Sequence, residues 1–226
     1  MSKPKTPLVK LTNCSIRPQS ENQAKYLETI DQNFITFGIG PAGTGKTYLA
    51  VAKAIEALIS GEYNKIILSR PAVEAGEKIG FLPGTLQEKM EPFMAPLFDA
   101  LNVNWQDGAI ESMLDKKLIE VVPVAYMRGR TFLHSFIIVD EAQNLSREQM
   151  KMVLTRFGEG SKMVVTGDPT QCDLPKNVES GLRLAEQICN HGTEGVSMVK
   201  LDAVEDVRRH MVVANILKTM KELGYD

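Results

Sequence analysis

The chain has 226 residues, of which 43% are hydrophobic, and its 26 basic and 28 acidic side chains give a net charge of −2. This length and composition fit one α/β domain with a buried core and exclude two full nucleotide-binding domains. Nucleic acid could be bound only through a local basic patch. There is no run of about 18 apolar residues, no apolar signal segment and no metal-ligand spacing among the three cysteines. We therefore expect a cytoplasmic protein with reduced thiols and no membrane association.

The chain begins with a polar stretch that carries two prolines and four basic residues. It predicts a flexible N-terminal arm over residues 1–17, ahead of a domain spanning 18–226. Ser20 and Gln23 then have the S-x-x-Q form of a capping box, which predicts a helix running to about residue 29. Gln23 has an alternative function, because a glutamine just upstream of a phosphate-binding loop can hold an adenine edge. Spacing slightly favours the cap.

A strand, a glycine-rich loop and a helix are predicted next. Residues 34–39 form a short apolar run, the loop reads GPAGTGKT, and a helical pattern follows over residues 46–60. This is the P-loop spacing G-x-x-x-x-G-K-[ST] in its expected context. The loop turns backbone N–H groups toward a phosphate, Lys46 can reach the β- and γ-phosphates, and the Thr47 hydroxyl can bind Mg²⁺. The predicted triphosphate-binding residues are Gly40, Pro41, Ala42, Gly43, Thr44, Gly45, Lys46 and Thr47.

Two further segments carry candidate contacts to nucleic acid. A second buried strand, residues 65–69, ends at Arg70, and the glycine-rich stretch to residue 84 is either an ordered functional loop or a plain excursion over the sheet edge. After a short strand at residues 118–122, Tyr126, Arg128 and Arg130 form a basic turn with one aromatic side chain. Such a turn suits phosphate contacts and base stacking, and Arg70 is grouped with it. A solvated turn without a partner is the alternative.

The next buried strand, residues 136–139, delivers two consecutive carboxylates. In open α/β sheets, ligands gather beyond the carboxyl ends of the strands. This arrangement is typical of a Walker B motif, in which Asp140 holds Mg²⁺ and Glu141 orients and deprotonates the attacking water. Together with the P-loop it predicts a Mg²⁺-dependent nucleoside triphosphate hydrolase.

The remaining segments predict the rest of the site. A strand at residues 162–166 is expected between those of the two Walker motifs, so that Gln171 lies beside the γ-phosphate as a sensor. The alternative is that Asp168-Pro169 merely builds a turn. A final strand at about residues 196–201 precedes a helix over about 205–223. Its Arg208 and Arg209 are candidates to neutralise charge on the transferred phosphoryl group, since Lys46 alone rarely suffices.

These segments together resemble the PhoH family (phosphate starvation-inducible, PhoH-like proteins), P-loop ATPases similar to the first motor domain of superfamily 1 helicases. The resemblance covers about residues 18–215 and rests on GPAGTGKT, SRPAVEAGEKIGFLPG, YMRGRTF, FIIVDEAQN, MKMVLTRFGEGSKMVVTGDPTQCDLP and VRRHMV. It implies a single RecA-like α/β domain with a mostly parallel sheet, ATP hydrolysis, an RNA-associated role and ring-like oligomers. It also favours the adenine-binding function of Gln23. No nuclease activity is implied.

The motifs supply one face of a nucleotide site, whereas helicases place two faces around one nucleotide. We therefore predict a homo-oligomer, a hexameric ring, in which a neighbouring copy contributes Arg208 or Arg209, or alternatively Arg156, as an arginine finger. The favoured function is ATP hydrolysis coupled to single-stranded RNA or DNA. An ATP-dependent switch or assembly factor acting on a protein is the alternative. A small-molecule kinase is disfavoured, because the pair of Asp140 and Glu141 activates water.

Overall fold

The structure is a computed structural model that describes residues 16–71, 95, 97–100 and 109–202, with isolated residues from 206 to 224. Its labelled helices are α1 (Glu21–Gln32), α2 (Lys46–Ile59), α3 (Ala109–Asp115), α4 (Arg147–Leu154) and α5 (Leu182–Asn190). Its strands are β1 (Ile35–Ile39), β2 (Lys65–Ser69), β3 (Ile119–Val121), β4 (Ser135–Val139), β5 (Lys162–Gly167) and β6 (Val196–Lys200). The N-terminal arm, the glycine-rich stretch after Pro71 and most of the predicted C-terminal helix lie outside the described residues.

The six strands form one sheet in the order β3-β2-β4-β5-β1-β6, and every neighbouring pair is parallel. The predicted α/β architecture with a mostly parallel sheet is confirmed. The strand β5 lies between β1 and β4, as predicted. Because all strands run the same way, the segments that follow β1, β2, β4 and β5 emerge at one edge of the sheet, which we call the carboxyl edge.

Helices cover both faces of the sheet, which explains why the strands are almost continuously apolar. On one face, alternate strand residues pack against α1, α2 and α3; these include Ile66, Leu68, Phe136, Ile138 and Val164. The intervening residues pack against α4 and α5; these include Phe37, Ile67, Ile137, Val139 and Val165. None of the helices within the described ranges is long and apolar enough to cross a membrane.

The first helix ends later than predicted. It runs to Gln32 rather than to residue 29. The reason is a tertiary contact: the buried Lys162 ammonium, at the start of β5, donates to the carbonyl oxygens of Ile30, Asp31 and Asn33. Carbonyl oxygens at the end of a helix have no intrahelical donor, and the Lys162 ammonium supplies one for these three. A cation from a distant strand thus fixes the end of α1, which the local pattern did not indicate.

Tyr26 of α1 packs tightly on the P-loop strand. A Cβ atom added to Gly38 would lie 2.6 Å from the Tyr26 ring and hydroxyl, so the residue under this ring must be glycine. The ring is fully buried, and within the described part of the chain its hydroxyl has no hydrogen-bond partner. Burial, together with the charge of Asp140, raises the pKa of Tyr26 above its ordinary value.

Tyr26→Phe is expected to raise the free energy of unfolding by about 1 kcal/mol, because it removes a buried hydroxyl that makes no hydrogen bond. Gly38→Ala, the matched change on the other side of the contact, is expected to lower it by about 1–3 kcal/mol through overpacking. Urea unfolding followed by circular dichroism measures both. A loss of stability of more than about 1 kcal/mol in Tyr26→Phe would mean that the hydroxyl has a partner.

Candidate functional site

The P-loop connects β1 to α2 at the carboxyl edge. Its last glycine, Gly45, is the N-cap of α2 and has φ 82°, a left-handed conformation that side chains with a Cβ rarely adopt. Its first glycine allows a close approach, since a Cβ on Gly40 would lie 2.4 Å from the Leu201 carbonyl oxygen. The loop therefore places backbone N–H groups at the beginning of a 14-residue helix, where the helix dipole favours an anion.

Lys46 lies inside this loop. The residue is only 8% exposed, and its Nζ donates to the carbonyl oxygens of Gly40 at 2.5 Å and Pro41 at 2.7 Å. The hydroxyl of Thr44 is 3.5 Å from the same ammonium. The cation is thus held at the cradle that the sequence predicts for the phosphates.

Thr47 and Asp140, the two residues predicted to hold Mg²⁺, contact each other. The Thr47 hydroxyl donates to Oδ1 of Asp140 at 2.8 Å, and Thr166 of β5 donates to the same oxygen at 2.6 Å. A hydroxyl and a carboxylate are oxygen ligands of the kind that Mg²⁺ binds, usually with phosphate oxygens and water. Among the described residues no group of three or more His, Cys, Asp or Glu could hold a metal ion. The hydroxyl and carboxylate of this pair fit Mg²⁺ bound together with phosphate oxygens and water.

Glu141, the predicted base, follows directly. Its backbone is left-handed (φ 55°, ψ 38°), and this conformation turns the chain at the end of β4. Its Oε1 lies 3.2 Å from the Arg70 Nη2 atom, and its Oε2 accepts a hydrogen bond from the Gln143 side chain. Arg70, grouped with the nucleic-acid residues from sequence, therefore lies in the candidate nucleotide site.

Gln143 is a site residue that sequence reasoning missed. It is 1% exposed, and its Nε2 donates to Glu141 and to the Gln171 carbonyl oxygen, the latter at 3.2 Å. Its Oε1 accepts from the Asp168 backbone N–H at 3.0 Å. Gln143 thus joins the segments after β4 and β5. The signal in the sequence was the amide of Gln143, two residues after Glu141. This signal points to a site residue only once β4 and β5 are known to be neighbours.

Asp168 is the second missed residue. Its Oδ2 accepts from the Ala42 backbone N–H at 3.0 Å and from the Gln171 Nε2, while Oδ1 accepts from the backbone N–H and hydroxyl of Thr170 at 2.9 and 2.7 Å. Burial opposes the charge of this carboxylate, but the hydrogen bonds from Thr170 and Gln171 and the nearby Lys46 ammonium outweigh burial. They hold the pKa of Asp168 below its ordinary value. Asp168 thus builds the turn of the alternative interpretation, and the same carboxylate holds the Gln171 amide.

These groups line a cleft of about 420 Å³ at the carboxyl edge. This volume lies within the usual range for small-molecule sites, about 300–1,000 Å³. Gln171 lines the cleft with Lys46, Thr47, Asp140 and Glu141. Tyr48, Asp99 and Ala100 also line it, and no motif in the sequence indicated them.

Gln23 contacts the P-loop but does not complete a capping box. Its backbone N–H donates to the Ser20 hydroxyl at 3.1 Å, which is the expected half of the motif. The side chain does not reach back to Ser20, so that half of the prediction is wrong: Oε1 accepts from the Gln19 N–H at 2.7 Å, and Nε2 donates to the Thr44 carbonyl oxygen at 3.1 Å. The P-loop carbonyl offers the amide a buried partner. The box predicted at Ser146 is formed in full.

The predicted basic turn is partly available for ligands. Tyr126 is 55% exposed, and Arg128 is also exposed. Arg130 pairs with Glu120 at 2.7 Å, and its guanidinium lies 4.8 Å from the Phe132 ring centroid.

Of the three candidates for the arginine finger, Arg156 lies within the described residues. Arg156 donates from all three guanidinium nitrogens to acceptors of its own chain, on Met152, Arg130 and Thr155. To act as an arginine finger in the site of a neighbouring copy, Arg156 would have to break these hydrogen bonds. Arg208 and Arg209 lie outside the described residues.

The chain is similar to known proteins in sequence and in fold. A family model described as PhoH-like protein matches residues 15–221. The chain is similar to the PhoH-like protein of Bacillus subtilis (strain 168), at 52% identity over 204 residues, 90% of this chain and 63% of that protein. It is 54% identical over 203 residues to the PhoH-like protein of Mycobacterium tuberculosis (strain ATCC 25618 / H37Rv), which covers 90% of this chain and 57% of that protein. The chain thus spans less than two thirds of the length of these curated relatives.

Among solved structures, the chain is similar to the large terminase from a thermophilic bacteriophage. The TM-score is 0.55 at 12% identity, covering 90% of this chain and 50% of that chain. A further crystal form of that terminase, in complex with ADP, also gives 0.55, at 11% identity. Similarity at this level concerns the fold alone, and it confirms the predicted RecA-like P-loop NTPase fold.

Proposed function

This chain belongs to the PhoH family, and from that premise and the geometry of its cleft we propose that it hydrolyses ATP with Mg²⁺ and couples hydrolysis to single-stranded RNA or DNA. The observation that carries the proposal is the convergence of the P-loop, the Thr47–Asp140 pair and Glu141 on one cleft. These features belong to two segments of the carboxyl edge, the one that follows β1 and the one that follows β4. Membership in the family supports the same activity.

Binding of the triphosphate is assigned to the P-loop backbone and Lys46. The N–H groups at the start of α2 point at the phosphates, and the Lys46 ammonium exchanges the carbonyl oxygens of Gly40 and Pro41 for phosphate oxygens. Thr47 and Asp140 would hold Mg²⁺, which supplies positive charge that offsets the negative charge of the β- and γ-phosphates. Gln23 supports the loop through Thr44, and the family resemblance adds adenine contact to its role.

Hydrolysis is assigned to Glu141. The carboxylate accepts a proton from water as the water oxygen forms a bond to the γ-phosphorus, and the bond from that phosphorus to the β–γ bridging oxygen breaks. Gln171, held by Asp168 at the cleft, orients the water or the γ-phosphate through its amide. The products are ADP and inorganic phosphate.

The proposed assembly is a homo-oligomer, a hexameric ring, with the nucleotide between copies. The described cations that line the cleft are Lys46 of the P-loop and Arg70, which follows β2. An opposing face would supply Arg208 or Arg209 of a neighbouring copy to the transferred phosphoryl group. The support for this assembly is that the described residues line one side of a nucleotide cleft, which a neighbouring copy can face.

Single-stranded nucleic acid is the proposed polymer, because the exposed Tyr126 ring and the Arg128 guanidinium lie together on one turn. An aromatic ring beside an arginine suits base stacking and phosphate contact without sequence preference. A protein partner is the second candidate, favoured by the near-neutral net charge of −2.

ATP turnover is measured with a panel of single-stranded RNA and DNA, and oligonucleotide affinity is measured against salt concentration. We expect stimulation by at least one polymer. Arg128→Ala should weaken oligonucleotide binding and make the slope of log K against log salt shallower by about 0.7, the loss of one phosphate contact. Arg130→Ala should have the smaller effect, because Arg130 already pairs with Glu120.

Arg183→Ala is the matched control, since Arg183 is an exposed arginine of α5 that pairs with Glu179. No stimulation by any polymer would favour the protein partner. The absence of ATP turnover under every condition would refute the proposed activity itself.

A further inference from the structure

Arg70 and Glu141 are brought together by neighbouring strands. Ser69 pairs with Val139 in the register of β2 and β4, and the Asp140 N–H donates to the Ser69 carbonyl oxygen at 2.9 Å. The residues that follow each strand therefore emerge side by side, and the Arg70 guanidinium lies 3.2 Å from Oε1 of Glu141. Their side chains are 21% and 34% exposed, so the ion pair is reachable from the cleft.

Both carboxylate oxygens of Glu141 already accept a hydrogen bond or ion pair, one from Arg70 and one from Gln143. A water that gives its proton to Glu141 competes with these donors for the carboxylate. Gln143 is almost fully buried and fixed to two backbone groups after β5. The Arg70 side chain is 21% exposed and lines the cleft. Arg70 is therefore the donor that can exchange its partner.

The exposed turn packs on the residue that precedes Arg70. The Ser69 hydroxyl, fully buried, contacts the Met127 sulfur at 3.3 Å, and Met127 is also fully buried. Met127 lies between Tyr126 and Arg128, the two exposed residues of the turn. A strand of nucleic acid bound to this turn would bring its phosphates close to the backbone at Ser69 and Arg70. Phosphate is a bidentate partner that suits a guanidinium.

We infer that Arg70 is a positioning residue that couples nucleic acid to the base: a phosphate of a single strand on Tyr126 and Arg128 takes Arg70 from Glu141. Without the strand, Arg70 holds Glu141 away from water. With the strand, Glu141 is released to accept the water proton. This inference rests on the proposed function for its catalytic consequence, whereas the exchange of partners is a binding equilibrium that exists without ATP.

The catalytic consequence is tested with Arg70→Met, which keeps the length of the side chain and removes its charge. ATP turnover without polymer should rise roughly three- to tenfold, and stimulation by single strands should fall toward onefold, because the restraint is gone. Arg183→Met, on an exposed arginine away from the cleft, should change neither value. A fall in polymer-free turnover would overturn the inference, because it would mean that Arg70 aids the reaction directly. Unchanged stimulation would also overturn it.

The binding equilibrium is tested without nucleotide, by fluorescence anisotropy of labelled oligo(U) and oligo(dT). Glu141→Gln should tighten oligonucleotide binding roughly three- to tenfold, because the Glu141 charge no longer competes with phosphate for Arg70. Arg70→Met should weaken binding, and the double variant should bind like Arg70→Met. Equal affinities of Glu141→Gln and the unmodified chain would overturn the inference. Because no ATP is present, this result is independent of whether the chain hydrolyses ATP.

Discussion

Glu141→Gln is expected to lower ATP turnover by roughly 10²–10⁴-fold while nucleotide affinity stays within about threefold. The amide keeps the shape of the carboxylate and can still contact Gln143, but it cannot accept the proton of the attacking water. The P-loop, Lys46 and the Thr47–Asp140 pair, which carry binding, are unchanged by the substitution. Phosphate release measures turnover, and the titration of a fluorescent ATP analogue measures affinity.

The matched control is Glu159→Gln. Glu159 is exposed, and its carbonyl oxygen bonds to His134 at the start of β4, away from the carboxyl edge. Its replacement should leave turnover unchanged. If Glu141→Gln retained a tenth or more of the turnover, another group would be the base. If it lost nucleotide binding as well, Glu141 would act in binding.

Asp168→Asn is expected to weaken binding of both ATP and ADP by roughly tenfold and to lower the free energy of unfolding by about 2 kcal/mol. The carboxylate accepts on both oxygens, whereas the amide of asparagine accepts on one. The donors on Oδ2, the Ala42 N–H and the Gln171 amide, would lose their acceptor or meet a second donor. The P-loop backbone at Ala42 would then be less ordered before the phosphates arrive.

The pH dependence of stability provides a second measurement for Asp168. Its pKa in the folded protein lies below the ordinary value of 3.8, so the charged carboxylate favours folding. This contribution is present in full above the pKa of the unfolded chain and is lost as pH falls through the pKa of the folded protein. The stability difference between the unmodified chain and Asp168→Asn should therefore be constant above about pH 5 and shrink below pH 3.8.

Asp115→Asn, on the exposed last residue of α3, is the control for these measurements. Nucleotide affinity should be unchanged in this variant. A stability difference between the unmodified chain and Asp168→Asn that stays constant below pH 3.8 would mean that the carboxylate does not favour folding through its charge.

The elements that carry the fold were predictable because their signals are local. The apolar runs before the P-loop and before Asp140 are long enough to identify buried strands, and the glycines of GPAGTGKT fix the loop by backbone conformation alone. Once these two motifs are assigned, the place of β5 between them follows from the fold type. The contact between Thr47 and Asp140 follows in turn, since their segments share one edge of the sheet.

The residues that were missed act across strands that are distant in sequence. Gln143 and Asp168 are 25 residues apart and meet only because β4 and β5 are neighbours. Arg70 and Glu141 meet because β2 is the other neighbour of β4. The end of α1 depends on a lysine from β5. Local spacing holds no record of such contacts, so the sequence alone did not indicate the ion pair of Arg70 with Glu141 or the hydrogen bond from Gln23 to the Thr44 carbonyl oxygen.

A structure of the chain with ADP, aluminium fluoride and Mg²⁺ tests most directly whether the cleft is a site of ATP hydrolysis. We expect the nucleotide phosphates to occupy the P-loop between β1 and α2. Lys46 should have left the carbonyl oxygens of Gly40 and Pro41 for the phosphates, and Glu141 should face the fluoride group. A nucleotide bound elsewhere on the chain, or a P-loop nucleotide with Lys46 still on its own carbonyl oxygens, would contradict this expectation.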